Sequence, residues 1–183
     1  MQAITNDPTV FGLKVTLTLD ELRTAAYAGV DRRISAKRLS RPETLNFVRD
    51  ELKFGKDIIG AIAEQAVAKA TQQYWGGAVT EGFAKLQGDV GQLQVRASAT
   101  RNDLYIRAKD KDEARFIQCR VDEQTVYILG YLIGSHGREL GHDMNDGSYK
   151  VEAADLMPIG LLGVPFYLCD TVEIYNNQVN KPD

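Results

Sequence analysis

One carboxylate in this sequence stands among small and apolar residues on a helical stretch. The neighbours of Glu64 one helical turn away are Gly60, Ala61, Val67 and Ala68. Residues at this spacing are adjacent on the helix surface. Glu64 therefore either lies at a helix edge with its charge in water, or points into a pocket where another group compensates the charge. The second arrangement is typical of functional sites.

A second carboxylate, Asp89, lies between glycines in a segment that leads into a predicted strand, GDVGQLQVRAS. Side chains on a strand alternate between its two faces. The polar side chains of this strand therefore share one face, and these are Gln92, Gln94, Arg96 and Ser98. The strip is either a functional surface beside an acidic loop or the solvated face of a half-buried strand.

Basic residues are concentrated in two places. Tyr105, Arg107 and Lys109 alternate along the next predicted strand. They can follow a nucleic-acid backbone, with Tyr105 offering a ring for stacking, or they are the exposed side of a hairpin. The densest basic cluster, in the first predicted helix, is either a solvated face or a phosphate-contacting face. Its members are Arg32, Arg33, Lys37, Arg38 and Arg41.

Composition limits what this local chemistry can do. The 183 residues are 44% hydrophobic and 26% charged, with a net charge of −3 and a pI of about 5.5. These values predict a single domain, residues 1–183, with no overall positive field, so any contact with DNA must be local. The sequence lacks a secretory signal and any run of ~20 apolar residues. It predicts a cytoplasmic protein that does not enter the membrane.

The cysteines and histidines indicate no metal site. Cys119 and Cys169 lie in apolar surroundings and are predicted to be buried free thiols. His136 and His142 are six residues apart, a spacing that matches no strong zinc motif.

Periodicity predicts helices in the first half of the chain and strands in the second. Residues 19–39 have apolar residues at helical spacing, with Thr18 and Glu21 placed as a capping box. A polar connection over 42–56 precedes a second helix, which Gly76 and Gly77 end. Four alternating segments predict an antiparallel meander, and they are QLQVRAS, DLYIRA, ARFIQCRV and QTVYILGYLIG. Residues 135–149 predict a surface loop, after which the chain returns to the sheet.

The order of these parts resembles that of PD-(D/E)XK nucleases, in which a helix acid precedes an Asp entering a strand and a (D/E)-x-K motif. In layout the chain is similar to small phage or mobile-element proteins related to that superfamily. Four pieces, covering most of residues 14–160, carry the resemblance. They are VTLTLDELRTAAYAGVDRRI, GAIAEQAVAKATQQYW, GDVGQLQVRAS with LYIRAKD, and VYILGYLIG with YKVEAADLMPIG.

The resemblance implies an α+β fold. N-terminal helices would pack on a mixed, largely antiparallel sheet of roughly four to six strands, with a restriction-endonuclease-like core. Residues 1–18 would be a polar leader, residues 19–76 the helical part and residues 89–175 the sheet part.

Carried over by position, the resemblance also implies a metal-dependent DNA-cutting site. Glu64 would be the helix acid, Asp89 the central metal ligand and Gln94 the second ligand. Together they would hold Mg²⁺ or Mn²⁺, which polarises the scissile phosphate and activates a water. Arg96 takes the place of the family's lysine and would contact the phosphate.

Two positions depart from the family pattern. Gln94 offers a neutral amide oxygen where an acid is usual, which weakens metal binding. Arg96 stays charged and cannot act as a base, although its donors can clamp a phosphate. A lysine from elsewhere in the chain, such as Lys69 or Lys85, could substitute for it in space.

The sequence therefore predicts either a metal-dependent nuclease or a catalytically inactive nuclease-fold protein. The inactive form would bind nucleic acid or a partner protein, for example in phage replication or counter-defence, and a homodimer is a further expectation. A third hypothesis, a structural protein with no site, predicts that Glu64 and Asp89 lie far apart.

Overall fold

Three α-helices and ten strands form the described part of the chain. The computed structural model describes residues 2–39, 47–77 and 88–175. The helices are α1 (Leu19–Leu39), α2 (Phe47–Thr71) and α3 (Gly134–Leu140). The strands are β1 (Gln2–Ile4), β2 (Gly12–Thr16), β3 (Leu93–Ser98), β4 (Leu104–Ile106), β5 (Arg115–Asp122), β6 (Thr125–Ile133), β7 (His142–Asp143), β8 (Tyr149–Val151), β9 (Phe166–Leu168) and β10 (Val172–Tyr175).

A five-stranded mixed sheet in the order β10-β2-β6-β5-β3 is the largest sheet. Its neighbours are antiparallel except β3 and β5, which are parallel. Parallel neighbours need a crossover of about a dozen residues or more, and residues 99–114 supply it. The predicted fold class, α+β with a mixed and largely antiparallel sheet, is confirmed. The restriction-endonuclease-like core stays a prediction.

The predicted four-strand meander is correct only for the hairpin of β5 and β6. β4 leaves the central sheet and pairs with β8 in a three-stranded sheet. The reason is burial, because Leu104 and Ile106 are fully buried in a second core away from the central sheet's helices. β3 is therefore an edge strand with one ladder neighbour, β5. Alternation of apolar and polar residues predicts a strand, but it does not indicate which sheet the strand joins.

The polar leader predicted for residues 1–18 is wrong, because these residues form two strands. β1 pairs with β9, and β2 lies inside the central sheet between β10 and β6. The alternating Leu13 and Val15 are fully buried there, and Leu17 is nearly so. The sheet thus draws on both ends of the described chain.

The first helix has the predicted bounds, whereas the second begins earlier than predicted and ends at Thr71, before the predicted end at Gly76 and Gly77. The Thr18 amide donates to the Glu21 carboxylate at 2.7 Å, and the Glu21 amide donates to the Thr18 hydroxyl at 3.2 Å, which confirms the capping box. α2 already begins at Phe47, so Gly55 lies inside the helix. Residues 42–46 of the predicted connection lie outside the described residues. No helix in the described ranges has the length and apolar character to span a membrane.

Two apolar cores lie on opposite faces of the central sheet. α1 and α2 cover one face, where small residues of α2 such as Ala61 and Ala66 pack in the same core as Val95 of β3. The other core joins Phe116 of β5 and Leu132 of β6 to the smaller sheet. The predicted loop 135–149 contains most of α3 together with β7, and β10 returns to the central sheet as predicted.

Both cysteines are free, as predicted. Cys119 on β5 is buried, which confirms its prediction. Cys169 is exposed, so its predicted burial is wrong. It lies in the turn between β9 and β10, where Phe166 and Val172 are buried and Cys169 is not.

The crossing of α1 and α2 depends on Gly29. A Cβ atom at Gly29 would lie 2.5 Å from Ile58 Cα and 2.8 Å from the Asp57 carbonyl oxygen, whereas one at Gly55 would meet nothing within 4 Å. We expect Gly29→Ala to lower the free energy of unfolding by about 2 kcal/mol, because the helices must separate. The matched control Gly55→Ala should raise it by up to about 1 kcal/mol. Urea unfolding measures both, and equal effects would contradict this account of the crossing.

Candidate functional site

The Glu64 carboxylate is buried and fully engaged. Arg32 of α1 donates to both of its oxygens, at 2.7 Å and 2.5 Å, and the Trp75 indole N–H donates to Oε2 at 2.9 Å. The Glu64 side chain is only 8% exposed. Of the two arrangements the sequence allowed, the pocket with a compensating group is the one present. The compensating group is an arginine of the neighbouring helix.

Arg32 and Arg33 belong to the basic cluster of α1, and neither is free on a solvated face. Arg33 pairs with Asp57 of α2 at 2.5 Å, with its side chain 19% exposed. Both arginines therefore join α1 to α2. The side chains of Lys37, Arg38 and Arg41 lie outside the described parts of the structure.

Asp89 forms a hydrogen bond with the free backbone edge of β3. Its Oδ2 accepts the Val95 amide at 2.7 Å, on a strand that has only β5 as a ladder neighbour. Although the residue as a whole is exposed, burial of the carboxylate raises its pKa, and the charge of Glu64 raises it further. The Val95 hydrogen bond and the charges of Arg96 and Arg32 oppose that rise. The charges of Glu64 and Arg32 therefore both act on the Asp89 carboxylate.

Arg96 is held by another carboxylate. Its guanidinium donates to both oxygens of Asp110, at 2.9 Å and 2.8 Å, and lies 4.9 Å from the centre of the Phe116 ring. Leu93 and Val95 face the helices, in the core of α1 and α2. Because side chains alternate, Gln94 and Arg96 lie on the other face of β3, away from Glu64.

The predicted metal ligands Glu64, Asp89 and Gln94 do not form one site in this arrangement. Both Glu64 oxygens already accept hydrogen bonds, Asp89 uses one oxygen on a backbone amide, and Gln94 faces away. In the described residues no three His, Cys, Asp or Glu side chains are grouped as a metal site. A divalent ion would have to displace Arg32, so the donor set does not fit Mg²⁺ or Mn²⁺. Lys69 is also engaged, with Thr16 and Glu21, and Lys85 lies outside the described residues.

The predicted binding residues, in contrast, come together. Arg96, Tyr105, Arg107 and Lys109 all line one cleft of about 1120 Å³. One wall of the cleft is the first half of α2. The other consists of β3, the β3–β4 connection, β4 and the turn that follows it. The sequence predicts one strand face for Tyr105, Arg107 and Lys109; all three line the cleft, although Arg107 and Lys109 follow β4 and are not part of it, and their role in binding stays a prediction.

The cleft is basic in an acidic protein. Among the described residues that line it, seven are basic and three are acidic, a local balance of +4 against −3 for the whole chain. The basic residues are Arg33, Lys53, Lys56, Arg96, Arg101, Arg107 and Lys109. Arg33 and Arg96 are paired with aspartates. The field of the cleft is therefore opposite in sign to that of the molecule.

Five of these cations are exposed and have no ion-pair partner among the described residues; one of them, Arg101, contacts the Tyr105 ring, and the other four have no ring contact there either. These four are Lys53 and Lys56 on α2, and Arg107 and Lys109 after β4. Sequence reasoning missed Lys53 and Lys56, because residues 42–56 were predicted to be a connection. The signal that could have found them is their spacing of three, which places both on one side of a helix.

Asp110 fixes the turn that presents Arg107 and Lys109. Besides binding Arg96, its carboxylate accepts the Arg107 amide at 2.8 Å, and its carbonyl accepts Arg138 of α3 at 2.5 Å. The Asp110 amide donates in turn to the Arg107 carbonyl at 3.0 Å. Arg96 thus positions the cationic turn through Asp110.

Fold and site together define an α+β protein with a basic cleft between a helix and the edge of its sheet. Comparison of the chain with family models, curated proteins and solved structures returned no match. The resemblance to PD-(D/E)XK nucleases therefore stays a prediction from the sequence.

The role of Glu64 as an ion-pair partner can be tested through Arg32. Arg32→Ala leaves the buried Glu64 carboxylate without its main counter-charge, so we expect the free energy of unfolding to fall by about 3 to 5 kcal/mol. The control Arg23→Ala breaks the exposed pair with Asp20 and should cost less than about 1 kcal/mol. Denaturant unfolding at neutral pH compares them. Similar losses in the two variants would show that Glu64 does not depend on Arg32.

The raised pKa of Asp89 predicts a pH dependence of stability. The folded protein holds this proton more tightly than the unfolded chain does, so Asp89 contributes less stability as pH rises from the ordinary aspartate range through the raised pKa. Asp89→Asn keeps an acceptor for the Val95 amide and removes the titration. We therefore expect this variant to gain stability relative to the wild type with rising pH. Urea unfolding from about pH 3.5 to about pH 7 checks this, and a constant difference contradicts it.

Proposed function

We propose that the protein binds nucleic acid by its phosphate backbone in the basic cleft, without cutting it. The observation that supports this most is the group of four exposed cations that line the cleft with Tyr105 and have neither an ion pair nor a ring contact among the described residues, in a chain of net charge −3. In such a chain a basic patch attracts phosphate only locally. Lysine and arginine contacts to phosphates supply most of the affinity of non-specific binding, through release of counterions. DNA is the class of nucleic acid that the resemblance implies.

Pairing inside the protein leaves these four cations available. Asp57 neutralises Arg33, and this pair joins α1 to α2. Asp110 neutralises Arg96, and this pair joins β3 to the turn after β4. Among the described residues no acid is paired with Lys53, Lys56, Arg107 or Lys109, so none competes there with a phosphate. Arg96, predicted to contact the scissile phosphate, is better suited to positioning the turn of Asp110.

Metal-dependent DNA cleavage, which the resemblance implies, stays a prediction. The engagement of Glu64 by Arg32 and Trp75 favours binding without cleavage, because both Glu64 oxygens already accept hydrogen bonds and are not free for a hard cation. A protein partner and a homodimer also stay predictions.

The lysines of α2 provide the direct test of binding. We expect the double variant Lys53→Gln and Lys56→Gln to bind a labelled oligonucleotide roughly tenfold more weakly at low salt, because two phosphate contacts are lost. The slope of log affinity against log salt should fall by about two. The control is Lys14→Gln with Arg23→Gln, which removes the same charge from residues outside the cleft. Fluorescence anisotropy at several salt concentrations measures both, and equal losses in the two variants contradict the cleft as the binding site.

Cleavage is checked with the same wild-type protein and labelled DNA. We expect intact single-stranded and duplex DNA after incubation with Mg²⁺ or Mn²⁺, and no rise in melting temperature on addition of either ion. Cutting by the wild type that disappears in Asp89→Ala would instead establish the nuclease prediction.

A further inference from the structure

We infer that the cleft accepts a single strand of nucleic acid in preference to a duplex, with Tyr105 as a stacking platform for an unpaired base. This inference rests on the proposed function and specifies its ligand. Phosphate contacts alone do not distinguish a single strand from a double helix. An aromatic ring does, because only an unpaired base exposes its face to a side chain.

The fold directs Tyr105 into the cleft. Its neighbours on β4, Leu104 and Ile106, are fully buried in the second core, so alternation sends Tyr105 to the other face. β4 is in turn held by β8, where Lys150 is the register partner of Tyr105 and pairs with Asp103 at 3.1 Å. The ring therefore has a fixed direction in the unbound protein.

A second planar group extends this platform. The Arg101 guanidinium lies 5.0 Å from the centre of the Tyr105 ring, and both residues line the cleft. Bases stack on guanidinium planes as well as on aromatic rings. Arg101 thus covers one face of the Tyr105 ring, and a base can stack on the guanidinium or on the ring face that Arg101 does not cover.

The cations line the same cleft as this platform. Lys53 and Lys56 lie on the α2 wall, while Arg107 and Lys109 follow Tyr105 along the chain. A single strand can lay its phosphates against these cations and turn a base toward Tyr105. A duplex keeps its bases stacked on each other, so it would contact the cations and leave the ring unused.

Acidic groups in the cleft fit the same ligand. Asp103 and Asp146 line it close to the cations, and Asp146 is bound to Ser148. A carboxylate repels phosphate but accepts hydrogen bonds from base amino groups. In single strands the Watson–Crick edges are free to meet such groups.

The test compares three labelled ligands by fluorescence anisotropy with the full chain. They are an oligodeoxythymidine, an oligouridine of equal length and a duplex hairpin with the same number of phosphates. We expect the wild type to bind at least one single strand roughly tenfold more tightly than the duplex. The two single strands show whether the ligand is DNA or RNA.

Variants of Tyr105 locate the preference. Tyr105→Ala should weaken single-strand binding roughly tenfold and leave duplex binding within about twofold. Tyr105→Trp should restore single-strand binding, because the indole keeps a stacking face. The control Tyr27→Ala removes an exposed tyrosine of α1, 72% accessible, and should change neither ligand. Circular dichroism confirms the fold of each variant.

Each outcome separates the inference from the proposed function. Duplex binding equal to or tighter than single-strand binding, or equal losses for both in Tyr105→Ala, overturns the inference while the cleft still binds nucleic acid. Failure of the wild type to bind any of the three ligands overturns the proposed function itself. If Tyr105→Ala unfolds, the ratio of affinities in the wild type decides the inference.

Discussion

The buried pair of Arg32 and Glu64 is the interaction on which the rest of the site depends. A carboxylate taken out of water needs compensation, and here the compensation comes from another helix, 32 residues earlier in the chain, with Trp75 completing the set of donors. The pair of Arg33 and Asp57 runs beside it. Gly29 allows the helix backbones to approach closely enough for both pairs. The orientation of α2, and so of Lys53 and Lys56, follows from these contacts.

The opposite wall of the cleft is built on the same principle. Arg96 on the edge strand and Asp110 in the turn after β4 form a partly buried ion pair. Asp110 also accepts hydrogen bonds from the Arg107 amide and from the Arg138 side chain of α3. In both walls the charges that are most buried pair with each other. The exposed cations that remain give the cleft a net positive charge, although the chain as a whole is acidic.

A carboxylate with apolar neighbours was the clearest chemical signal in the sequence, and it had two physical explanations. Metal binding and ion pairing both compensate a buried charge, so the neighbours of Glu64 along its helix do not distinguish them. The group that compensates the charge distinguishes metal binding from ion pairing, and in the sequence Arg32 stands out only as a member of the basic cluster on α1. For Tyr105 the pattern was more informative, because alternation along β4 places its side chain opposite the buried Leu104 and Ile106. Arg107 and Lys109 lie in the turn after the strand, which Asp110 holds.

By itself the sequence determined those helices and hairpins that depend on residues close together in the chain. The bounds of α1 follow from a capping box and a helical period, and the hairpin of β5 and β6 from two alternating segments joined by a short turn. Only the tertiary structure decided that β3 pairs in parallel with β5, that β2 lies inside the central sheet and that β4 belongs to a second sheet. It also decided the ion-pair partners of Glu64 and Arg96. Each of these joins residues far apart in the chain, and they are set by which surfaces must be buried together, a condition that local spacing does not contain.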